Sequence, residues 1–275
     1  MLTDYHVHLR PDDPGTPAER YFTAANAERY REAAAERGIE ELGVSEHVHR
    51  FRQALDVWEH EWWVRNAVDD LDEYVAFVRE RTDLRLGIEA DWVSGREDRM
   101  ASLLDAHEWD YVVGSVHFLR DETVDDREWD VWRTARDPDD VWRRYFTTLG
   151  HAAASGMYDV LAHPDLVKVW GGDSPRPEGD LRRFYELAME GIADTRVAIE
   201  VSTAGLRKPV GEIYPDPVFL SWCLECGCPV ALSSDAHVPE DVGHEYDRAL
   251  EMLGELGVTE LAVFERRQRR LEPIG

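Results

Sequence analysis

Residues 61–93, "EWWVRNAVDDLDEYVAFVRERTDLRLGIEADWV", contain the two patterns that decide the fold. Residues 61–82 are predicted to form a helix. The segment that follows, "LRLGIEADWV" at residues 84–93, is short and mostly apolar, which is typical of a buried strand. A helix that leads into such a strand is the unit from which parallel sheets with helical connections are built.

The same alternation runs through the rest of the chain. Further strands are predicted at "YHVHL" (5–9), "ELGVSEH" (41–47), "YVVGSVHFL" (111–119), "YDVLAHPDL" (158–166), "VAIEVSTAG" (197–205) and "PVALSSDAH" (229–237). Further helices are predicted over residues 16–38, 96–107, 139–156, 178–194, 215–225 and 241–256, and the last of them leads to "LAVFERRQRRL" (261–271). Seven or eight such units, without a linker-like segment, predict an α/β barrel that forms a single domain over residues 1–275.

Capping residues set the predicted limits of the first helix. Thr16, Pro17 and Glu19 have the spacing of a capping box with proline at the first helical position. Gly38 is predicted to end this helix, because glycine is the usual residue just beyond a helix C-terminus.

Composition and charge exclude several classes of function. The chain has 275 residues, 43% of them hydrophobic, and a formal net charge of −26. A surface this negative repels the nucleic-acid backbone, so general nucleic-acid binding is not expected. Asp4 and His6 interrupt any apolar run near the first residue, and no stretch is apolar enough to cross a membrane. These features predict a soluble cytoplasmic protein, and they do not predict an oligomeric state.

Three cysteines, Cys223, Cys226 and Cys228, lie close together in "CLECGC". An odd number in one short segment does not make a disulfide framework, and a thiolate metal site needs about four ligands. We therefore expect them to be small buried residues at a helix end.

Residues that can bind metal or transfer protons lie at the ends of the seven predicted strands. They are His6, His8, Glu46, His47, Glu89, Asp91, His117, His163, Asp165, Glu200, Asp235 and His237. The carboxyl ends of barrel strands converge on one mouth, where barrel enzymes keep their chemistry. A single histidine at a strand end is more often structural than a ligand, so the argument rests on the recurrence. His49 lies just beyond its strand, and its role stays open.

Eight of these residues form a plausible ligand set for metal ions: His6, His8, His47, Glu89, His117, His163, Asp235 and His237. Imidazole and carboxylate ligands without thiolate suit zinc, manganese or iron. Eight ligands exceed what one tetrahedral ion needs, so two or three divalent ions are expected. Sites with two ions support in-line displacement at phosphorus.

Seven segments resemble those of the PHP (polymerase and histidinol phosphatase) family, in order along nearly the whole chain. They are "DYHVHL", "GVSEH", "GIEADW", "DYVVGSVHF", "LAHPDL", "IEVSTAGLRK" and "SSDAH". "GSVHF", "STAGLRK…EIYP" and "SDAH" resemble the stand-alone histidinol-phosphatase branch. The resemblance implies a distorted (βα)7 TIM-like barrel with three metal ions.

The resemblance also implies a distribution of the ligands. One ion would be held by His6, His8, Glu89 and Asp235; Glu89 would bridge to a second ion, held also by His117 and His163; and His47 and His237 would hold a third. Many members supply another histidine in the loop after the first strand. This chain has "RPDDPG" there, so Asp13 or Asp12 must substitute, with Asp13 favoured, unless the third site is weak.

The predicted reaction is metal-assisted hydrolysis of a phosphate monoester, in which water activated by the ions attacks phosphorus. Glu89 would act as the bridging ligand, and Asp235 or His237 would protonate the leaving alkoxide. Arg207 is the predicted phosphate clamp because its planar fork matches phosphate, and Lys208 lies beside it. For both cations, a solvated loop charge is the alternative.

The resemblance implies that the substrate is L-histidinol phosphate, a small molecule whose dephosphorylation is a step of histidine biosynthesis. Glu200 and Asp91 are candidate partners for its cationic amine, and Trp92 and Trp170 for its imidazole ring.

Three other functions remain open at this stage. The first is a phosphatase of the same branch that acts on another small phosphate or a nucleotide. The second is an amidohydrolase-like metal enzyme, although such barrels usually need a lysine at a strand end and Lys168 lies beyond its strand. The third is a non-catalytic metal-dependent binding module, which the complete ligand set disfavours.

Overall fold

A computed structural model describes residues 1–11, 15 and 18–275 of the chain. Seven parallel strands form one sheet: β1 (Leu2–Asp4), β2 (Ile39–Val44), β3 (Arg85–Asp91), β4 (Tyr111–Ser115), β5 (Val160–Leu161), β6 (Ala198–Ser202) and β7 (Val230–Ser233). Their order in the sheet equals their order in the chain, and every neighbouring pair is parallel. The predicted seven-stranded α/β barrel is therefore confirmed.

The sheet nearly closes, because its two outer strands meet just beyond their carboxyl ends. Val7 forms a parallel bridge with Ala236, and the amide of His8 donates to the Ala236 carbonyl oxygen at 2.8 Å. At the end of β1, the Asp4 carboxylate accepts hydrogen bonds from the Ser234 hydroxyl at 2.5 Å and from the Gly243 amide at 3.3 Å. These contacts bring the predicted ligands that follow β1 close to those that follow β7.

The described residues contain eight α-helices: α1 (Ala24–Glu36), α2 (Glu61–Asn66), α3 (Leu71–Arg81), α4 (Glu97–Leu104), α5 (Pro138–Ala154), α6 (Arg182–Ile192), α7 (Pro217–Glu225) and α8 (Tyr246–Glu255). Helices α4, α6, α7 and α8 lie within the predicted segments, and α5 begins one residue before its segment. None of the helices is long and apolar enough to span a membrane, within the part of the chain that the structure describes.

The predicted start of the first helix was wrong. Helix α1 begins at Ala24, because the Thr23 side chain caps it by accepting a hydrogen bond from the Asn26 amide. Glu19 lies in a separate short 3-10 turn, Ala18–Arg20. The predicted cap, Thr16, and its neighbour Pro17 lie outside the described residues. Gly38 has a φ of +71° just beyond the helix, so the predicted end is confirmed.

The single helix predicted over residues 61–82 is two helices. Asp70 has extended backbone angles, and its side chain accepts a hydrogen bond from the Glu73 amide. Asp70 therefore caps a new helix, α3, and Ala67 ends α2. The sequence "DLDE" at residues 70–73 carries the signal for this break, since an N-cap aspartate followed three residues later by glutamate is a capping pattern.

The segment that follows the last predicted helix does not join the barrel. Strands β8 (Glu260–Glu265) and β9 (Gln268–Pro273) form a separate antiparallel hairpin. Strand β8 buries four consecutive apolar residues, and its Phe264 ring packs 5.6 Å from the Tyr5 ring. This hairpin covers the amino end of the barrel, opposite the predicted site.

The floor of the barrel is filled by one aromatic side chain. Tyr111 is fully buried, and its ring packs 5.0 Å from that of Tyr5. Gly43 in β2 and Gly87 in β3 leave the space for it, since a Cβ atom at either position would overlap the Tyr111 ring. The interior below the mouth is thus solid, which confines any ligand to the carboxyl end.

The three cysteines do not share one environment. Cys223 in α7 and Cys228 just after it are buried, as expected, whereas Cys226 at the helix end is exposed. The prediction of buried residues was wrong for Cys226, because the carboxyl end of this helix faces outward.

Candidate metal centre

The structure brings eight of the nine predicted metal ligands together at the carboxyl end of the barrel. They form four overlapping groups, His8–His47–His237, His6–His8–Asp235, His6–Glu89–His163 and His47–Glu89–His117, and in each group one ligand atom per residue lies within 4.8 Å of the others. The ninth predicted ligand, Asp13, lies outside the described residues, as does Asp12.

Glu89, at the end of β3, lies between two sets of imidazoles. Its Oε2 atom lies 3.3 Å from His6 Nε2 and 3.7 Å from His8 Nε2, and it also contacts His47 Nδ1. Its Oε1 atom lies 3.4 Å from His117 Nε2 and 3.3 Å from His163 Nε2. Each oxygen of the carboxylate thus contacts a different set of histidines. A carboxylate that bridges two ions requires this arrangement.

Asp235 and His237 complete the cluster from the last strand. Asp235 Oδ1 lies 3.3 Å from His8 Nε2 and 3.6 Å from His6 Nε2. The Nε2 atoms of His47 and His237 are 3.4 Å apart. Both Asp235 and His163 have positive φ angles, +51° and +26°, which are uncommon for residues with a side chain. Backbone strain at these two positions fits a functional site, where such strain concentrates.

The buried atoms at the centre of the cluster fit a metal ion. Among the described residues, His6 Nε2, His8 Nε2, Glu89 Oε2 and Asp235 Oδ1 are buried and have no hydrogen-bond partner. An unsatisfied buried polar atom costs about 1–3 kcal/mol, so four that converge on one another need an explanation. Imidazole nitrogens and carboxylate oxygens are ligands that zinc, manganese and iron accept. The residues present therefore fit divalent cations.

Buried carboxylates orient the histidines from behind. His6 Nδ1 lies 2.7 Å from Glu200 Oε1, and the other oxygen of Glu200 accepts a 2.6 Å hydrogen bond from the His163 amide. His117 Nδ1 lies 2.7 Å from Asp91 Oδ1. Such partners fix the tautomer and direction of a ligand histidine. Glu46 lies 4.0 Å from His8 Nδ1 and is not part of the ligand groups, as predicted.

This arrangement contradicts two of the predicted substrate contacts. Glu200 and Asp91 are only 1% and 2% exposed, and their oxygens are directed to the histidines. They lie beneath the cluster and do not reach the mouth, so neither is placed to meet a substrate amine. The sequence pattern placed both residues correctly at strand ends. It could not distinguish a candidate metal ligand from a residue that orients a ligand histidine.

Electrostatics keep the central carboxylates ionised. Burial raises the pKa of Glu89. The imidazoles of His47, His6 and His117 lower it by more than burial raises it, so the pKa lies well below its usual value. The pKa of Asp235 is also well below its usual value: burial raises it, and His6 and His8 lower it more. Both groups are therefore carboxylates at neutral pH, as a cation requires.

The two histidines that follow β1, His6 and His8, differ in charge. Burial and the nearby His47 and His237 hold the pKa of His8 well below its usual value, so His8 is neutral. Burial also lowers the pKa of His6, but Glu200, Glu89 and Asp235 raise it well above its usual value. A proton on His6 and a metal ion are alternatives at the same nitrogen, so metal binding would release that proton.

A cavity of about 380 Å³ opens above the cluster. Its floor includes His47, His117, His163, Asp235 and His237. Its walls include the cations Arg10, Arg50 and Lys208, the acidic residue Asp125, and the rings of His49, Trp62, Phe118, Trp170 and Tyr214. The cavity walls thus carry cationic, acidic and aromatic side chains above the ligands.

Of the predicted substrate contacts, the structure brings Lys208 and Trp170 to the cavity wall. Arg207 lies behind Asp235, where its Nη2 donates to the Ser234 carbonyl oxygen at 2.8 Å and to that of Asp235 at 3.0 Å. The prediction of Arg207 at the mouth was wrong, because the turn after β7 engages its guanidinium. Trp92 is buried away from the cavity, with its indole nitrogen 3.3 Å from Ser94 Oγ.

Sequence reasoning missed several residues of the cavity wall, among them Trp62 and Phe118. Arg10 follows His8 at the same spacing that separates His6 from His8, so the alternation carried a signal for it. Arg50 lies in a 3-10 turn one helical turn after Glu46, with which it pairs. Asp125 and Tyr214 come from irregular loops. The segment "EIYP" contains Tyr214, but nothing in the sequence pattern marks Asp125.

The sequence is similar to those of histidinol-phosphatases. Residues 21–204 match the family model of the PHP domain. A probable histidinol-phosphatase of Deinococcus radiodurans is 33% identical over an alignment of 282 positions, gaps included, that covers 99% of each chain. The histidinol-phosphatase of Bacillus subtilis is 24% identical over an alignment of 273 positions that covers 90% of this chain and 98% of the relative.

A solved structure shares the fold. It is a histidinol phosphate phosphatase from Lactococcus lactis, crystallised with zinc, L-histidinol and phosphate. The two chains superpose with a TM-score of 0.69 at 18% identity, and the match covers 98% of each. This likeness extends to the whole barrel.

Proposed function

The chain belongs to the PHP domain family, and from this premise we propose that it is a metal-dependent histidinol-phosphatase. The reaction converts L-histidinol phosphate and water to L-histidinol and phosphate. The observation that carries the proposal is the position of Glu89, whose two oxygens face separate sets of histidines at the floor of a cavity with charged and aromatic walls.

Two or three divalent ions, zinc, manganese or iron, would bind in this cluster. Their ligands would be His6, His8, His47, Glu89, His117, His163, Asp235 and His237, as the four overlapping groups suggest. Bound there, the ions would supply Lewis-acid activation of the attacking water and of the phosphoryl group. Glu200 and Asp91 would hold the rings of His6 and His117 in place.

The cationic side chains of the cavity wall would bind the phosphoryl group. Lys208 lies in the wall together with Arg10 and Arg50. Arg10 is paired with Asp69, and Arg50 with Glu46, so both guanidinium groups are held in fixed positions. Fixed cations aimed at the site of charge development stabilise a phosphoryl transition state without reorganisation.

The acidic and aromatic side chains would bind the alcohol portion of the substrate. Asp125 is partly exposed in the cavity wall, 4.0 Å from His117 Nε2, and would pair with the ammonium group. The rings of Trp62 and Phe118 lie 5.6 Å apart in the same wall and would contact the imidazole. An acidic group for the ammonium and cations for the phosphate would together orient the substrate, with its phosphate toward the ligands.

Neither predicted proton donor, Asp235 or His237, would keep a proton for the leaving oxygen once the ions are bound. His237 is 21% exposed in the cavity wall, but its Nδ1 lies 3.2 Å from the Asp235 carbonyl oxygen, to which it would donate its proton, and its Nε2 would bind metal. Asp235 has a pKa well below its usual value, since nearby histidines outweigh the effect of burial. A group that stays ionised cannot donate a proton, so Asp235 would serve as a ligand only.

The test is phosphate release by metal-stripped protein to which Mn²⁺ or Zn²⁺ is added back. L-histidinol phosphate is compared with a panel of other phosphomonoesters. We expect turnover that needs added metal and is selective for L-histidinol phosphate. Metal-dependent turnover of a different ester would contradict the substrate, and no turnover of any ester with metal bound would contradict the phosphatase reaction.

A further inference from the structure

Tyr214 has an unusual position in the cavity wall. The residue is 1% exposed, and its ring lines the same cavity as Lys208 and Asp235. Among the described residues, its hydroxyl group has no hydrogen-bond partner. A buried phenol without a partner is costly, so this hydroxyl is expected to have one when the site is occupied.

The surroundings fix the Tyr214 ring in place. The backbone of Tyr214 forms two hydrogen bonds with Ser202, at 2.8 and 3.0 Å, which tie it to the end of β6. Gly205 packs against the ring, where an added Cβ atom would lie 3.0 Å away. The Lys168 ammonium lies 5.5 Å from the ring centroid and is itself held by Asp165 at 2.8 Å. A hydroxyl on such a rigid ring is preorganised for one ligand position.

The neighbours of the ring decide which part of a substrate it meets. The ring lies edge-on to that of His163, with 6.3 Å between centroids. His163 Nε2 is 3.3 Å from Glu89, so Tyr214 flanks the ligand cluster. The group that must lie at the cluster during hydrolysis is the phosphoryl group, whose oxygens are hydrogen-bond acceptors.

We propose that the Tyr214 hydroxyl donates a hydrogen bond to a phosphoryl oxygen of the substrate, an inference that rests on the proposed function. Tyr214 is then a substrate-binding residue that neither holds metal nor transfers a proton. Its hydrogen bond also persists with the product phosphate, so inorganic phosphate is a suitable probe.

The matched control is a second buried tyrosine of the same kind. Tyr111 is fully buried, and its hydroxyl also has no hydrogen-bond partner among the described residues. It packs against Tyr5 and Phe264 at the opposite end of the barrel. Tyr111→Phe and Tyr214→Phe therefore remove the same atom from similar surroundings, but only one of these positions lines the cavity.

The experiment compares both variants with the wild-type protein, each loaded with Mn²⁺. We expect Tyr214→Phe to weaken the binding of inorganic phosphate, measured by calorimetry, by about 10- to 100-fold and to lower kcat/KM by a similar factor. Bound metal and melting temperature should not fall. Tyr111→Phe should leave phosphate binding and kcat/KM unchanged.

Two results would overturn the inference. One is phosphate binding by Tyr214→Phe equal to that of the wild type. The other is a joint loss of bound metal and melting temperature in Tyr214→Phe, which would make the role of the hydroxyl structural. If the wild type does not hydrolyse L-histidinol phosphate, the proposed function fails, and the phosphate titration still decides the role of Tyr214.

Discussion

Glu200 joins two histidines, His6 and His163, that share a ligand group with Glu89. One of its oxygens is 2.7 Å from Nδ1 of His6, and the other accepts a 2.6 Å hydrogen bond from the backbone amide of His163. His163 has a positive φ angle of +26°, so this hydrogen bond helps to hold a strained residue. The carboxylate thus sets the position of both ligands without touching the cavity.

Glu200→Gln should weaken metal binding by about 10- to 100-fold, because the amide cannot accept both hydrogen bonds. The measurement is the affinity for Zn²⁺ in competition with a chelator. Glu190→Gln, which removes an exposed carboxylate on α6, is the control for the change in charge. Equal affinities in the two variants would show that Glu200 does not position the ligands.

Glu89→Gln should have a larger effect, since it changes the carboxylate whose oxygens face both sets of histidines. We expect metal affinity to fall by more than about a hundredfold, beyond the loss for an outer partner, together with a lower number of bound ions. Metal analysis of the purified variant gives that number. Full metal content in Glu89→Gln would rule out a bridging role.

Lys208 and Arg207 are neighbours in sequence but should behave differently when replaced. Lys208→Met should raise KM for L-histidinol phosphate by about tenfold, since a charged hydrogen bond is lost, and leave metal affinity unchanged. Arg207→Met should instead weaken metal binding, because it removes the guanidinium that holds the carbonyl oxygens of Ser234 and Asp235. Steady-state kinetics and chelator competition separate the two effects, and the reverse pattern would contradict these placements.

Removal of metal should destabilise the fold. The four buried atoms without hydrogen bonds would remain unsatisfied, and the imidazoles would lie close together without a cation between them. An ion that binds only the folded state stabilises it by about 2.7 kcal/mol at a hundred times its dissociation constant. Thermal unfolding with EDTA and with added Zn²⁺ should therefore give a lower melting temperature for the stripped protein. Identical melting curves would be inconsistent with a metal centre here.

Asp4 should make stability depend on pH. Burial raises its pKa to about 6, although hydrogen bonds from Ser234 and Gly243 lower it in part. A carboxyl group whose pKa is raised by folding favours the folded state below its unfolded pKa, and this contribution disappears as pH rises through the folded value. Relative to Asp4→Asn, the wild type should lose about 2 kcal/mol of unfolding free energy between pH 4 and pH 7.

Urea unfolding of both proteins in EDTA, at several pH values, measures this difference without a contribution from metal. Asp194→Asn, at an exposed carboxylate, should show no such trend against the wild type. A constant difference between the wild type and Asp4→Asn across this range would mean that Asp4 has an ordinary pKa in the folded protein.

The barrel and the ligand cluster could be predicted because one regularity determines both. In a barrel of parallel strands, polar residues at the carboxyl ends must meet, so His6, Glu89 and Asp235 were brought together by strand order alone. Helix limits depend on local competition between caps. Thr23 and Asp70 each cap the start of a helix, so residues 16–38 and 61–82 do not form the continuous helices that were predicted.

The cavity wall was less predictable, because its residues come from loops. Arg207 and Lys208 are adjacent in sequence, yet one faces the turn after β7 and the other faces the cavity. Asp125 follows a short hairpin after β4, and its position depends on tertiary packing. Neither composition nor periodicity specifies the direction of a side chain in such segments.

The closure of the barrel through Val7 and Ala236 has a consequence for synthesis of the chain. His6 and His8 leave the ribosome long before Asp235 and His237, although all four belong to overlapping groups. A nascent chain can pack its early helices and strands, but it cannot assemble this cluster until the seventh strand has emerged. Assembly of the complete cluster is therefore a late event in the life of the polypeptide, and it marks molecules that have completed their folding.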